Sequence, residues 1–414
     1  MKHYIYYLLV FIFTFNSCSI SKPVNYSFED SKNSLHPQFL VYHQTNSKSK
    51  LYFQLDTEDL LYSRKNLTEP FSAKIYLEYI VYQKNRKEII DSGSYTITNQ
   101  YIENKKTKID SNFNFRFPYN QLGFIEVKIT DVNRSKNYFG TIEIDKFKQS
   151  NRQFFLLSDT ANNIIFDNYF RSGQSIIIKS NFNYTTLFAS NNNTVFPLSS
   201  PPFSKSYQPI YPKKTASSSK LNFSKKTTSC QLPENGFVFF QLDTNINSGF
   251  TLFNFHSSYP NLNRPELLIP PLRYLTTKDE YNMLIAHSNP KVAVDQYWLS
   301  KGASKERARS LIRTYYSRVE FANKLFTCHL EGWKTDRGLI SIIFGPPNYI
   351  SNNKNMEVWN YGDENNLNSL KFIFEKKMNP FSSNDFALKR NYSYRNPWYR
   401  AVESWRNGKV YLVQ

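Results

Sequence analysis

Period-two alternation dominates the first half of the chain. Ile75, Leu77, Tyr79 and Val81 occupy alternate positions within 73–82, so a strand there turns all four to one face. Similar apolar–polar runs recur at 39–42, 50–55, 94–97, 112–117, 124–129 and 138–144, with turn-forming residues between them. Short strands at this spacing predict an immunoglobulin-like β-sandwich over residues 35–148. Runs at 154–157, 164–166, 175–178, 236–240 and 250–255 predict a second β-rich domain over 149–262. Its middle, 199–229, is a Pro-, Ser- and Lys-rich insertion. A solvated loop is the first reading of that insertion, and an arm lying along an acidic partner or membrane surface is the second.

From Glu266 the period lengthens to that of helices. Thr276-Thr277 followed by Asp279 and Glu280 supplies an N-cap with carboxylates in the first turn, and Asn289-Pro290 restarts a helix. Ser304 caps a third and longer one, whose apolar stripe is Ala308, Leu311, Ile312, Tyr315, Val319, Ala322 and Phe326. Arg307, Arg309, Arg313, Arg318 and Lys324 fill the remainder, which reads as a solvated face.

The long helix leads into Glu331-Gly332-Trp333-Lys334-Thr335-Asp336-Arg337-Gly338, then the apolar run 339–344 and Gly345-Pro346-Pro347. This segment, with 271–277 and 315–323 before it, resembles the GWxTD domain family of envelope proteins, which is common in Bacteroidota and neighbouring phyla. The resemblance implies an envelope location and a GWxTD domain over 263–414. It implies no particular reaction and no catalytic residues.

Read from the residues alone, the motif is either structural or partner-binding. Gly332 can take positive φ where the helix stops, and Trp333 offers an apolar plug. Thr335 and Asp336 can fix a turn through backbone N–H groups, and Arg337 can pair with Asp336 or with an acidic neighbour. Gly338 then admits a tight strand start, with 339–344 as a buried strand paired to strands at 357–361 and 370–374. Together these elements predict three helices packed on a small antiparallel sheet. The fold class is therefore mostly β and then α+β: two sandwich-like domains followed by the GWxTD domain.

The amino terminus sets a location. After Lys2 comes the apolar run 4–13, too short to span a bilayer, and then Phe15-Asn16-Ser17-Cys18. A small residue directly before a cysteine at this point predicts cleavage after residue 17 and acylation of Cys18, with 18–34 as a tether. The lipid bilayer is thus the first expected partner, reached through Cys18. No acidic run follows Cys18, which favours the periplasm-facing side of the outer membrane.

Composition narrows the remaining partners. The formal charge is +19, and 17% of residues are aromatic. An exported chain without any nucleic-acid-binding motif points this charge at an anionic surface or an acidic envelope protein, not at nucleic acid. Cys230 and Cys328 remain for a disulfide in an oxidising compartment, although sequence does not show that they meet.

Catalytic patterns are missing from the sequence. Cys328 and His329 are adjacent, and side chains one apart on a helix diverge by about 100°. No CxxC, HExxH, GxSxG or Gly-rich phosphate loop occurs. No metal, cofactor or catalytic set is expected, and a site using His329, Asp336 and Arg337 is the weaker reading. The leading function is a non-enzymatic accessory or scaffold lipoprotein bound to an outer-membrane or periplasmic protein. A glycan, peptidoglycan or lipopolysaccharide binder comes second, and an envelope hydrolase third.

Overall fold

A computed structural model describes residues 35–85, 88–103, 107–205, 218–353, 355–363 and 369–411. The signal segment, Cys18 and the tether lie outside the described residues.

Seven strands form the first domain: β1 (Gln38–His43), β2 (Lys48–Asp56), β3 (Ser72–Gln83), β4 (Ile89–Gln100), β5 (Lys108–Arg116), β6 (Leu122–Asp131) and β7 (Lys136–Asp145). They pair antiparallel in two sheets, of order β1-β2-β5 and β4-β3-β6-β7. Alternation in the sequence becomes alternation in burial. Ile75, Leu77, Tyr79 and Val81 all face the core, with Leu51, Phe53 and Leu55 opposite them. The expected sandwich is present.

The second domain repeats that plan. Its strands are β8 (Leu156–Ser158), β9 (Ser175–Lys179), β10 (Thr186–Asn192), β11 (Ser218–Asn222), β12 (Thr227–Gln231), β13 (Gly236–Gln241) and β14 (Phe250–Asn254). The sheets run β12-β9-β8 and β11-β10-β13-β14. Counted within each domain, both orders are 1-2-5 and 4-3-6-7, so two sandwiches of one topology stand in tandem. Two expectations change here. Residues 164–166 supply an isolated bridge, Ser158 to Ile164, and no strand. The 199–229 insertion contains β11 and most of β12, so its described C-terminal part, from 218 on, belongs to the sheet framework. The sandwiches meet where His43 stacks edge-on against Phe154 and Gln38 donates to Asp167.

The last domain holds α1 (Lys278–Ala286), α2 (Pro290–Gly302), α3 (Lys305–Phe326), α4 (Asp336–Phe344), β15 (Tyr349–Asn352), β16 (Met356–Tyr361), β17 (Leu370–Lys376), β18 (Phe386–Leu388) and α5 (Arg395–Arg406). The sheet order is β15-β16-β17-β18, antiparallel throughout. The predicted caps form: Thr277 closes a capping box with Glu280, Asn289 accepts from Val292 N–H, and Ser304 accepts from Arg307 N–H.

Two expectations fail in this domain. Residues 339–344 belong to a helix, α4, and not to a strand. Every residue from Arg337 to Phe344 is buried, so no solvent face remained to reveal the period. Arg318 is only 4% exposed and does not lie on a solvated face. It donates to the carbonyls of Ile342 and Ile343, satisfying the otherwise orphaned C-terminal end of α4.

Trp298, Tyr315 and Trp405 lie at the centre of the core. Each polar edge is satisfied: Trp405 Nε1 donates to Ile343 O at 3.0 Å and Tyr315 to Pro271 O at 2.7 Å. Trp398 and Trp405 therefore belong to the core, whereas Tyr399 is exposed. Among the described residues, no helix is long and apolar enough to cross a membrane.

A bidentate pair ties the two ends of this domain together. Arg406 donates to Glu280 at 2.6 and 2.9 Å, and its hydrogen bonds hold the Glu280 carboxyl down at about 2. A depressed carboxylate contributes stability fully above its unfolded pKa of about 4.3, and that stability is lost as pH falls through the folded value. Both side chains are about one-third exposed, so solvent screens the pair. Glu280→Gln should cost less than about 1 kcal/mol at pH 7, with the gap closing between about pH 4 and pH 2. Urea unfolding of both proteins across that range measures it, and a gap that persists at pH 2 contradicts the assignment.

Candidate functional site

The GWxTD motif is a joint between α3, α4 and the second sandwich. Gly332 lies against the backbone of α3, where a Cβ would stand 1.9 Å from Ala322 O. Close approach is therefore the reason for glycine here, not the positive φ expected from the sequence. Gly338 repeats the device inside α4, where a Cβ would stand 2.0 Å from Gly332 O, and no strand begins there. The Trp333 ring is buried against Tyr274, and the residue's backbone N–H donates to Asn323 Oδ1 at 3.1 Å. Thr335 caps α4 by accepting from Gly338 N–H at 3.0 Å while donating to Gly332 O at 2.7 Å.

Asp336 and Arg337 both reach from this joint to the segment 384–390, on different partners. Asp336 accepts from Leu388 N–H at 2.8 Å and from Arg390 at 2.5 Å. Burial pushes its carboxyl above the usual range, and the Arg390 guanidinium opposes that shift. Arg337 does not pair with Asp336. It donates to Glu357 at 3.0 Å and to Asn384 Oδ1 at 2.6 Å, with its guanidinium over the rings of Phe326 and Phe386.

A cleft of about 740 Å³ opens beside this joint. One wall is the chain at 196–205, which leaves β10 and docks on the last domain. Ser199 N–H donates to Lys334 O, Arg390 donates to Ser200 O and Pro201 O, and Phe203 packs near Tyr399. The first part of the insertion is thus an intramolecular contact, neither a solvated loop nor a free arm. The other wall is β18 with the residues that follow it, and the floor holds Cys328, His329, Thr335 and Asp336. Phe237, Phe239, Phe253 and Phe381 pack together behind it and join the second sandwich to the last domain.

Cys328 and His329 do meet, contrary to the expectation from helical geometry. α3 ends at Phe326, and in the turn beyond it Cys328 Sγ lies 3.4 Å from His329 Nδ1. Burial pushes the Cys328 thiol up to about 12 and lowers the His329 pKa, while Asp385 opposes the latter. Cys230, on β12 of the second sandwich, and Cys328 are both free thiols, so the disulfide left open by the sequence is not formed. His329, Asp336 and Arg337 do not share one reaction centre: Asp336 and Arg337 are committed to Arg390 and Glu357. Asn379, Asp385 and Arg390 were missed, because only the folded chain brings 379–390 against 328–336.

Because Gly332 leaves no room for a Cβ, Gly332→Ala forces α3 and the motif apart. The expected loss is about 3 kcal/mol of unfolding free energy, measured by urea denaturation. A loss below about 0.5 kcal/mol would mean that the joint yields freely.

The sequence profile of the GWxTD domain family matches residues 236–407. No curated protein sequence matches the chain. Among solved structures, it is similar to a glycosyl hydrolase family 2 member from Bacteroides cellulosilyticus, at 14% identity over 31% of this chain and 16% of that one, with a TM-score of 0.19. It is also similar to β-glucuronidase 2 from Bacteroides uniformis, at 8% identity over 33% of this chain and 15% of that one, with a TM-score of 0.19. The chain thus spans only 16% and 15% of the length of these hydrolases, and likeness at this level carries nothing about activity. The C-terminal part of the chain is a GWxTD domain, whose family profile reaches back into the last two strands of the second sandwich.

Proposed function

We propose that this chain is a non-enzymatic accessory lipoprotein, held by acylated Cys18 at the periplasmic face of a Bacteroidota-type outer membrane. Its tandem sandwiches act as a spacer, and its GWxTD domain docks a protein partner of an envelope complex. The observation that carries this reading is the cleft made jointly by 196–205 and the β18 edge. The 196–205 wall is held in place by Lys334 and Arg390 of the GWxTD domain, so the groove exists only when the sandwich and that domain are assembled. Lys205, Lys389 and Tyr392 are exposed along it, which suits an extended partner segment bearing carboxylates.

The test is recovery of the partner after mild detergent extraction. Exchanging Lys389→Glu together with Tyr392→Ala should reduce stoichiometric partner recovery at least about tenfold while changing stability by no more than about 0.5 kcal/mol. A wild-type chain that extracts without any stoichiometric envelope protein defeats the proposal. Retention on purified cell wall by that solitary chain would favour the glycan-binding reading instead.

A further inference from the structure

The floor of the cleft holds a side-chain cluster that the docking role does not use. Cys328 Sγ, a ring nitrogen of His329 and a carboxylate oxygen of Asp385 all lie within 4.8 Å of one another. Sγ is 3.4 Å from Nδ1, and Nδ1 is 3.5 Å from Asp385 Oδ2. Ligand atoms on one tetrahedral zinc, with ordinary bond lengths, stand roughly 3.3–3.6 Å apart. Two of the three separations are therefore already those of a ligand set. The three residues are 1%, 6% and 9% exposed, so water competes little for them, yet all three line the cleft.

We propose that Cys328, His329 and Asp385 bind a borderline-soft divalent cation of the zinc class, with a fourth coordination position open to the cleft. The thiol, imidazole and carboxylate together are the mixed S, N and O donor set that zinc accepts. As the sulfur–metal bond forms, the Cys328 S–H bond breaks and its proton leaves to solvent.

The same geometry disfavours a nucleophilic triad. Such a triad uses both imidazole nitrogens, one toward the nucleophile and one toward the carboxylate. Here the thiol, the carboxylate and the Asn379 amide all meet one nitrogen, Nδ1. A cation needs only that nitrogen. Asn379 Nδ2 donates at 2.8 Å to His329 Nδ1 and at 2.8 Å to Asp385 Oδ2, so the two acceptors already converge on one positively polarised atom. A bound cation takes the place of this amide, which swings aside.

The experiment uses the full-length protein in detergent, stripped with chelator and titrated with Co²⁺ and then Zn²⁺. A thiolate-to-cobalt charge-transfer absorption saturating at one ion per chain is expected, together with its loss on adding zinc and a zinc-dependent rise in Tm. Cys328→Ser should abolish the absorption, and Asp385→Asn should weaken binding by at least about 100-fold. Asn379→Ala should bind as tightly as wild type or more tightly, and Cys230→Ser should change nothing. Losses count in variants whose chelated Tm matches wild type, with His329→Gln replacing any that does not fold. No thiolate absorption in the wild type, or an absorption that depends on Cys230, overturns the proposal.

Discussion

One close contact organises the last domain. Gly332 meets the carbonyl of Ala322 so closely that the chain after α3 can pass only as glycine. From that fixed point Trp333 drops into the core, Thr335 starts α4, and Asp336 and Arg337 are aimed at 384–390 and at β16. Asn323 and Tyr259 complete the contact by meeting the N–H groups of Trp333 and Gly332. The motif and the two residues after it, Arg337 and Gly338, thus act as one mechanical part. Its components are separately ordinary: two close-approach glycines, a plug, a cap and two buried ionic anchors.

The same joint couples the GWxTD domain to the sandwich before it. Lys334, the variable position of the motif, contributes its carbonyl to Ser199 N–H, and Arg390 reaches from Asp336 to the carbonyls of Ser200 and Pro201. Behind them the phenylalanines of β13 and β14 close around Phe381. A hydrophobic contact of this kind resists the relative motion that is the default between tandem domains. Stability of the motif and shape of the cleft are therefore not independent properties.

The elements legible in the sequence were those whose causes are local. Thr277, Asn289 and Ser304 announce their helices because a cap bonds to a backbone N–H only three residues away. The strands of the first sandwich announce themselves because one face is core and the other solvent. The segment 339–344 misled for the opposite reason. It is apolar, rich in isoleucine and buried on every side, and β-branched composition then speaks for a strand. The capping Thr335 and acidic Asp336 just before it were the contrary signal. Arg318, Asp385 and the cleft were illegible because each depends on segments far apart in sequence, and periodicity carries no information about which segments pair. The shared topology of the sandwiches was hidden likewise, with β11 and β12 concealed in a stretch whose composition reads as loop.

Seven is an odd number, and that has a mechanical consequence. β1 ends beside the end of β7, and β8 and β14 begin side by side at Phe155 and Phe250, so the chain leaves each sandwich at the end opposite the one where it came in. His43 at the far end of β1 accordingly sits beside Asp145 at the end of β7 and faces Phe154 of the next domain. Two odd-stranded units of one strand order thus add their lengths instead of folding back. A pull applied between the amino terminus and the GWxTD domain would load the first and last strands lengthwise, across many hydrogen bonds at once. Force along the chain is met in shear and not by unzipping one bond at a time.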